Sequence, residues 1–561
     1  LHIFLSEVSV LFPKKNAKNK VRTRTGQVPV TALELEYRRM LSASVTMFHN
    51  DLMSSGVNPN ETLLTPSSVN VNTFGKQFST PVDGQVYAQP LYIPNLNITS
   101  GNQQGIHNTV FVATEHDSLY AIDSIGGNIL YQVSLLDVTN PKVNLIGATE
   151  ITTMPASEVG TAAITVEQGI TATPVIDQAN GFIYVAASTR ETINGGLPHY
   201  VQKLFKIDIH TGNILVSRII ADTIRVGPIQ SFTAKQFTYR TTDTGTGTDP
   251  YVVGTGNGAI TVNGQSRVYF NAYRQLNRGA LTLWQGHIID VFGAQADLPP
   301  YHGWVLMFDA NTLTTQAVLN TSPNGTGAGI WQSGSGITID DQGYMYLETG
   351  NGTFDYNDGI AMTPSGMQAK GNYGDCFLKI ALDPTSVQTN QHGNLNGWGL
   401  KIVDYFSPFN NAILTAHDTD LGSGGVLLLP DSAGSTAHPH LLVGGGKEGK
   451  LYLIDRDNMG KFDPTTDRCV QTIGGAINGI LNTPAYFNGQ LFLFPGYSGK
   501  GRSYSLTNAT IGAYQQSLDG IGNMDGTPSI SANGTQNGIV WVIDRNGSLK
   551  AFDASDLTKR L

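Results

Sequence analysis

One short unit recurs along this chain and limits what it can fold into. Two alternating apolar stretches are joined by a polar turn, and the second stretch closes on aspartate. The unit is clearest in TVFVATEHDSLYAID (109–123). Period-two alternation buries one face of a strand, and a brief polar interruption turns the chain back as a hairpin. Variants follow in GFIYVAASTRE (181–191) with LFKIDIHTGNIL (204–215), in HIIDVFGAQADLPPYHGWVLMFDANT (287–312), and in YMYLETGNGTFD (344–355) with NYGDCFLKIALDP (372–384). HLLVGGGKEGKLYLIDRDNMG (440–460), QLFLFPGYSGKGRSYSLT (490–507) and GIVWVIDRNGSLKAFDAS (538–555) complete the set. A Gly- or Pro-containing strand start precedes each: YAQPLYI, ITATPVID, NRGALTLW, WQSGSGITID, LGSGGVLLLPD, LNTPAYFNG and DGTPSISANG. An inner strand, a hairpin and an outer strand make a four-stranded sheet that cannot bury both faces alone. Repetition of such a unit predicts an all-β, seven- to eight-bladed β-propeller of antiparallel blades. No long stretch carries the 3.6-residue period of a helix.

Composition agrees. Of 561 residues 64 are Gly and only 14% are charged, as a turn-rich chain with a large core requires. The net charge of −9 argues against general nucleic-acid binding, which needs a basic surface. No run of about 18 apolar residues is present, so no helix is expected to span a membrane. Residues 1–44 stand apart: Lys14, Lys15, Lys18, Lys20, Arg22 and Arg24 form a basic run, read as a disordered leader before a propeller over 45–561. The opening LHIFLSEVSVLF is a poor signal peptide. Cys376 and Cys469 form no CxxC, which leaves one bridge or two free thiols. Sequons at Asn60, Asn97, Asn320, Asn324, Asn351, Asn508, Asn533 and Asn546 read either as glycan acceptors of a secreted protein, extracellular or periplasmic, or as accidents of Asn/Thr-rich turns.

The units resemble the repeat of quinoprotein alcohol dehydrogenases and their non-enzymatic relatives, the pyrroloquinoline-quinone (PQQ)-like repeat proteins. Ala121, Asp123, Gly127 and Tyr131 carry the repeat motif, then Asp208 and Gly212; later units keep Asp309 and Asp553. A branch of that superfamily without assigned activity is similar over FHNDLMSSGVNPNETLLTPSSVN (48–70), VDGQVYAQPLY (82–92), YHGWVLMFDA (301–310), NYGDCFLKI (372–380), DLGSGGVLLLPD (420–431) and GGKEGKLYLIDRDNMG (445–460). The resemblance implies pyrroloquinoline quinone and calcium as cofactors. The adjacent-cysteine clamp of the quinone enzymes is missing, because Cys376 and Cys469 are far apart. It also implies one more blade beyond FDASDLTKRL. Either a seven-bladed ring is closed by residues 71–81, or a C-terminally truncated eight-bladed template is left with a gap; the resemblance favours the second.

Turns between second and third strands and approaches to the innermost strand share one propeller face. They gather Glu115, His116, Asp117, Arg190, His302, Asn351, Lys447 and Glu448 with Arg278, Trp331, Asp420 and Asp525. Asp420 and Asp525 are the candidate catalytic bases. His116, Arg190, Arg278, His302, Trp331 and Lys447 are candidates for clamping a planar anionic cofactor, and Glu115, Asp117 and Glu448 for holding a metal. Blander roles stand beside each. Asp123 and Asp455 cap turns, Lys447 and Glu448 form an exposed hairpin turn, the histidines bond across blades, and Trp331 packs in the channel. Two functions follow: a secreted binding or scaffold propeller taking a protein, glycan or small-molecule ligand on one face, or a quinone- and calcium-dependent alcohol or sugar oxidoreductase.

Overall fold

A computed structural model describes residues 7–13, 43–72, 74–101, 103–160, 164–226, 236–242, 247–523 and 526–561. Seven four-stranded antiparallel units occur among them. In chain order they run from Leu91–Ile98 to Ile129–Ser134, Val175–Asp177 to Ile214–Arg225, Thr282–Trp284 to Thr315–Asn320, Thr338–Ile339 to Gly397–Phe406, Leu427–Leu428 to Gln471–Ile473, Ala485–Phe487 to Thr510–Ile521, and Ser529–Asn533 to Asp556–Arg560. They are called blades 1 to 7 below. The aspartates that close the third strands do the work expected of them. Asp309 accepts from Asn311 N and Thr312 N, and Asp553 from Ser555 N, which shapes the turn into the fourth strand.

Each blade buries its two faces against its neighbours. Phe205 and Ile183 of blade 2 share a core with Phe111 and Leu119 of blade 1. Tyr184 and Leu204 do the same with Phe292 and Trp304 of blade 3. Apolar cores continue through blades 3 and 4, 4 and 5, 5 and 6, and 6 and 7. Blades 3 and 4 are also joined at their outer edges, where Val318 pairs with Trp398.

The seam between blades 7 and 1 is built differently. Ile539, Ala551 and Trp541 of blade 7 pack on Val69, Leu64 and Phe74. Val112, Tyr120 and Ile122 of blade 1 pack on Val82 and Val86. A segment preceding blade 1 therefore covers both faces. Phe74–Pro81 does not pair with residues 548–553, as the seven-bladed closure expected; Leu549–Asp553 has its outer partner in Asp556–Arg560. Instead it pairs with Glu7–Pro13, a stretch expected to be part of a disordered leader, whose EVSVLFP alternates Val8, Val10 and Phe12 as a strand does. The expected open gap is thus occupied. Residues 1–6 and 14–42 of the leader lie outside the described residues.

Residues 45–57 encircle the axis as a collar. Backbone bonds tie Val45 to Tyr92, Thr46 O to Ile176 N, Leu52 O to Ile339 N, Met53 O to Leu428 N, Ser55 O to Tyr486 N and Gly56 O to Ile530 N. Every inner strand except that of blade 3 is engaged. Side chains insert in the same order: Val45 at the 1/2 seam, Met47 at 2/3, Leu52 at 3/4, Met53 at 4/5 and Val57 at 6/7. No helix among the described residues is long and apolar enough to cross a membrane.

Candidate functional face

The two propeller faces are unequal. Connections on the face named in the sequence reading include 135–174, 226–281, 349–376 and 407–426. The opposite face carries mostly tight turns, such as 124–128, 178–181, 285–286, 508–509 and 554–555; its longest connection is 456–470. Long connections on a rigid scaffold are where binding residues concentrate.

The sequence-derived ring separates into distinct groups. One lies between blades 4 and 5. Lys447 Nζ sits 2.5 Å from Asp420 Oδ2 and 3.4 Å from Asp418 Oδ2. Asn351 N donates to Asp420 Oδ1 at 2.9 Å, and Asn351 Nδ2 to Asp418 Oδ1 at 3.0 Å. Beneath them Asp375 accepts from Leu421 N and Thr415 Oγ1, and burial pushes its carboxyl up to about 7. Asp420, the candidate base, is thus committed to a lysine and a backbone amide. Trp331 stands beside this group, packed against Gly293, Gly329 and Gly350, where a β-carbon would meet its ring. It also touches the small apolar cluster of Tyr87, Ile164 and Leu276.

A second group sits where blade 1 meets blade 2. Glu115 is fully buried; its Oε2 accepts from Gly169 N at 2.8 Å and Thr171 Oγ1 at 3.1 Å, while Oε1 has no partner. Burial raises its carboxyl to about 7, against the pull of those bonds and of Arg278. Asp117, at φ 52 in the same turn, is buried with both oxygens unpartnered, and burial drives its pKa well above the ordinary range. His116 leaves this pocket for Glu167, 3.0 Å away.

The remaining residues do not converge. Arg190 Nε pairs with Glu158 at 3.1 Å. His302 is a structural residue: it is buried, Nδ1 lies 3.0 Å from Ser322 O and Nε2 2.8 Å from Asn257 O, and burial lowers its pKa to about 4. Glu448 bonds Lys450 at 3.0 Å and Asn410 at 3.1 Å in blade 5, away from Glu115 and Asp117. The three acids expected to share a metal are therefore not one site. Among the described residues no group of three or more His, Cys, Asp and Glu side chains could hold a metal ion. Asp525 lies outside the described residues. Cys376 and Cys469 are free thiols, the first buried with Sγ 3.3 Å from Gly374 O. The residues present do not fit a calcium-bound quinone under a cysteine clamp.

Sequence reasoning missed two things. Residues 48–70 were notable only through the resemblance, because a segment that winds around an axis has neither helical nor strand periodicity. The second is a cavity of about 320 Å³ beside the axis, reaching from Arg278 toward the 7/1 seam. It is lined jointly by the collar, by blade 7, and by the approaches to blades 1 to 4.

No protein-family model matches the chain, and no curated protein matches it in sequence. Among solved structures it is similar to a quinohemoprotein alcohol dehydrogenase from Comamonas testosteroni, at 13% identity and TM-score 0.48, over 95% of this chain and 74% of that one. BamB from Moraxella catarrhalis is similar at 8% identity and TM-score 0.34, over 85% and 88%. The Dos1 propeller is similar at 9% identity and TM-score 0.39, over 86% of each chain. The propeller architecture rests on the strand pairing of this chain, not on likenesses this distant.

Proposed function

We propose that the chain is a binding propeller that engages a protein or glycan partner through the face bearing its long connections. The carrying observation is the asymmetry of the two faces. On the favoured face, the 349–376 and 407–426 connections are joined by Asn357 Nδ2 donating to Asn411 Oδ1 at 2.7 Å. They present Tyr356, Phe409 and Ile413, which are 38%, 42% and 58% exposed. Exposed aromatic and branched side chains on a tied-down loop pair suit a macromolecular surface better than bulk water.

The sequons support an extracytoplasmic reading of the same asymmetry. Asn60, Asn97, Asn508 and Asn533 are exposed on the short-turn side of blades 6, 7 and 1, whereas Asn546 is exposed and Asn324 and Asn351 are half-buried on the long-connection face. Asn320 is fully buried and cannot carry a glycan in the folded chain. The quinone-dependent oxidoreductase finds no support among the described side chains, which form neither a metal cluster nor a cysteine clamp.

A photo-crosslinking residue placed at Ile413, and in a separate sample at Thr510 on the other face, tests the reading in cells that make the chain. A defined adduct from position 413 and none from 510 is the expected result. Adducts from 510 alone would overturn the choice of face. Stoichiometric quinone in the purified chain, or dye reduction on adding pyrroloquinoline quinone and Ca²⁺, would overturn the binding-only role.

A further inference from the structure

Six seams of the propeller are filled by apolar side chains from both neighbouring blades, whereas at the seventh the facing sheets are covered separately. Beside that seam lies the cavity of about 320 Å³, bordered by Pro90 just before blade 1, Ile530 and Trp541 of blade 7, Phe48 of the collar, and Thr173, Arg278 and Ser333 from the approaches to blades 2, 3 and 4. Its volume lies near the lower end of the roughly 300–1,000 Å³ typical of small-molecule sites. Its lining is mixed: Phe48, Ile530, Trp541 and Pro90 are apolar, Asn50, Gln89, Thr173 and Ser529 are polar, and Arg278 is its one Arg, Lys, Asp or Glu side chain.

Arg278 forms no ion pair and no hydrogen bond with any described residue. Other arginines are engaged, as Arg190 is by Glu158 and Arg240 by Asp249. The backbone makes room for this one: at Gly334, φ +87, a β-carbon would stand 2.5 Å from Arg278 Nη1. The acid nearest in charge, Glu115, is itself largely neutral below about pH 7. Arg278 is partly exposed, so water reaches its guanidinium, and a bound anion would replace that water with directed bonds.

The cavity wall is also strained at two places. Gln332 and Ser333 have φ of 46° and 50° beside Gly334, and His49 and Asn50 have φ of 57° and 76° in the collar. Non-glycine residues held in the left-handed region persist only where the surroundings fix them, and they cluster at ligand sites. His49 is held by Ser54 O at 2.7 Å and Pro528 O at 2.9 Å, and Ser333 by Ser423 O and Leu481 O at 2.5 Å each.

We propose that this seam cavity binds a small organic monocarboxylate, its carboxylate on the Arg278 guanidinium and its apolar body against Phe48 and Trp541. The planar fork of arginine matches a carboxylate with two parallel bonds. A single unpaired cation suits one negative charge, and the apolar wall selects an organic acid over an inorganic anion. The site is independent of any partner on the outer face and stands or falls without it.

The test uses the full chain, with calorimetry and thermal unfolding in phenylacetate, in its neutral isostere phenylacetamide and in inorganic phosphate. Phenylacetate is expected to bind with unit stoichiometry and raise the melting temperature, at least tenfold more tightly than the amide or phosphate. R278Q removes that preference, and R278K keeps part of it. S529W, at an exposed position on the cavity wall, blocks the space and abolishes binding with Arg278 intact, so the test survives an R278Q chain that fails to fold. Equal affinity for acid and amide, phosphate binding as tightly as phenylacetate, no binding of phenylacetate, or unchanged binding in S529W would each overturn the proposal.

Discussion

The seam between blades 2 and 3 and the seam between blades 7 and 1 meet the same requirement by different means. In the first, two sheets interlock directly, Tyr184 and Leu204 against Phe292 and Trp304. In the second, a linking segment lies between the sheets, with Val69 and Phe74 on one and Val82 and Val86 on the other. Sheet faces must be covered, but the cover does not have to be another blade. A direct seam concentrates large fully buried side chains. The mediated seam spreads its contacts along an irregular chain and leaves a cavity beside it.

The largest expected difference comes from truncating one aromatic at each seam. Phe292→Ala should cost about 3–5 kcal/mol, since Phe292 is fully buried and its neighbours are held by rigid strands. Phe74→Ala should cost about 1–2 kcal/mol, because Phe74 is only partly buried and its segment can settle. Denaturant midpoints measure both, and equal losses would erase the distinction between the seams.

The collar is the next place to press. Gly56 sits at φ +74, and a β-carbon there would fall 2.6 Å from His49 Nε2 and 2.9 Å from Ala485 Cβ. Gly56→Ala should destabilise by roughly 1–3 kcal/mol. Limited proteolysis should then cut within residues 45–61 sooner than in the wild type, while the blade 2/3 seam stays protected. Unchanged protection of the collar would show that its bonds to the inner strands contribute little.

A pH series separates the buried acid of blade 1 from both seams. The Glu115 carboxyl is raised from its ordinary 4.5 to about 7, so the folded chain holds a proton there that the unfolded chain releases. The associated stability is fully present below about pH 4.5 and is lost as pH rises through 7. Glu115→Gln should remove that decline, a relative gain on the order of 1–3 kcal/mol by pH 8. Parallel stability curves for variant and wild type from pH 4.5 to 8 would refute it. The smallest effect belongs to the rim: Arg468→Ala breaks an ion pair to Asp463 in which the arginine is 60% exposed, and should change stability by less than about 0.5 kcal/mol.

The blades were legible in the sequence because each is built from local alternation. TVFVATEHDSLYAID states its two strands, its turn and its closing aspartate within a short span, and it folds as Gly105–Ala113 and Ser118–Asp123. The candidate site was legible only in part. Asp420, Lys447 and Asn351 do meet, since Asn351 and Lys447 occupy corresponding turns of adjacent blades and Asp420 lies in the connection between those blades. Glu448, two residues from Gly446, was grouped with Glu115 by chemistry alone, and the sheets keep them apart. His302 was read as a candidate ligand, but its two ring nitrogens face carbonyls that come from residues 257 and 322, which no local pattern ties to it. Arg278, a candidate for clamping an anionic cofactor, lines the cavity beside the collar. What stands opposite it depends on where the collar runs, and periodicity carries no such information.

The collar also sets an order in time. A ribosome releases residues 45–57 early, yet the partner of Gly56 is Ile530, and its other partners emerge one blade after another in between. Each new blade can capture the next stretch of a strand that has been waiting in solution, so the cord is drawn tight only when the last blade appears. Contacts this distant along the chain carry a high loop-closure entropy and form late. Met47, Leu52 and Met53 of that stretch find their apolar surroundings only where two blades have met.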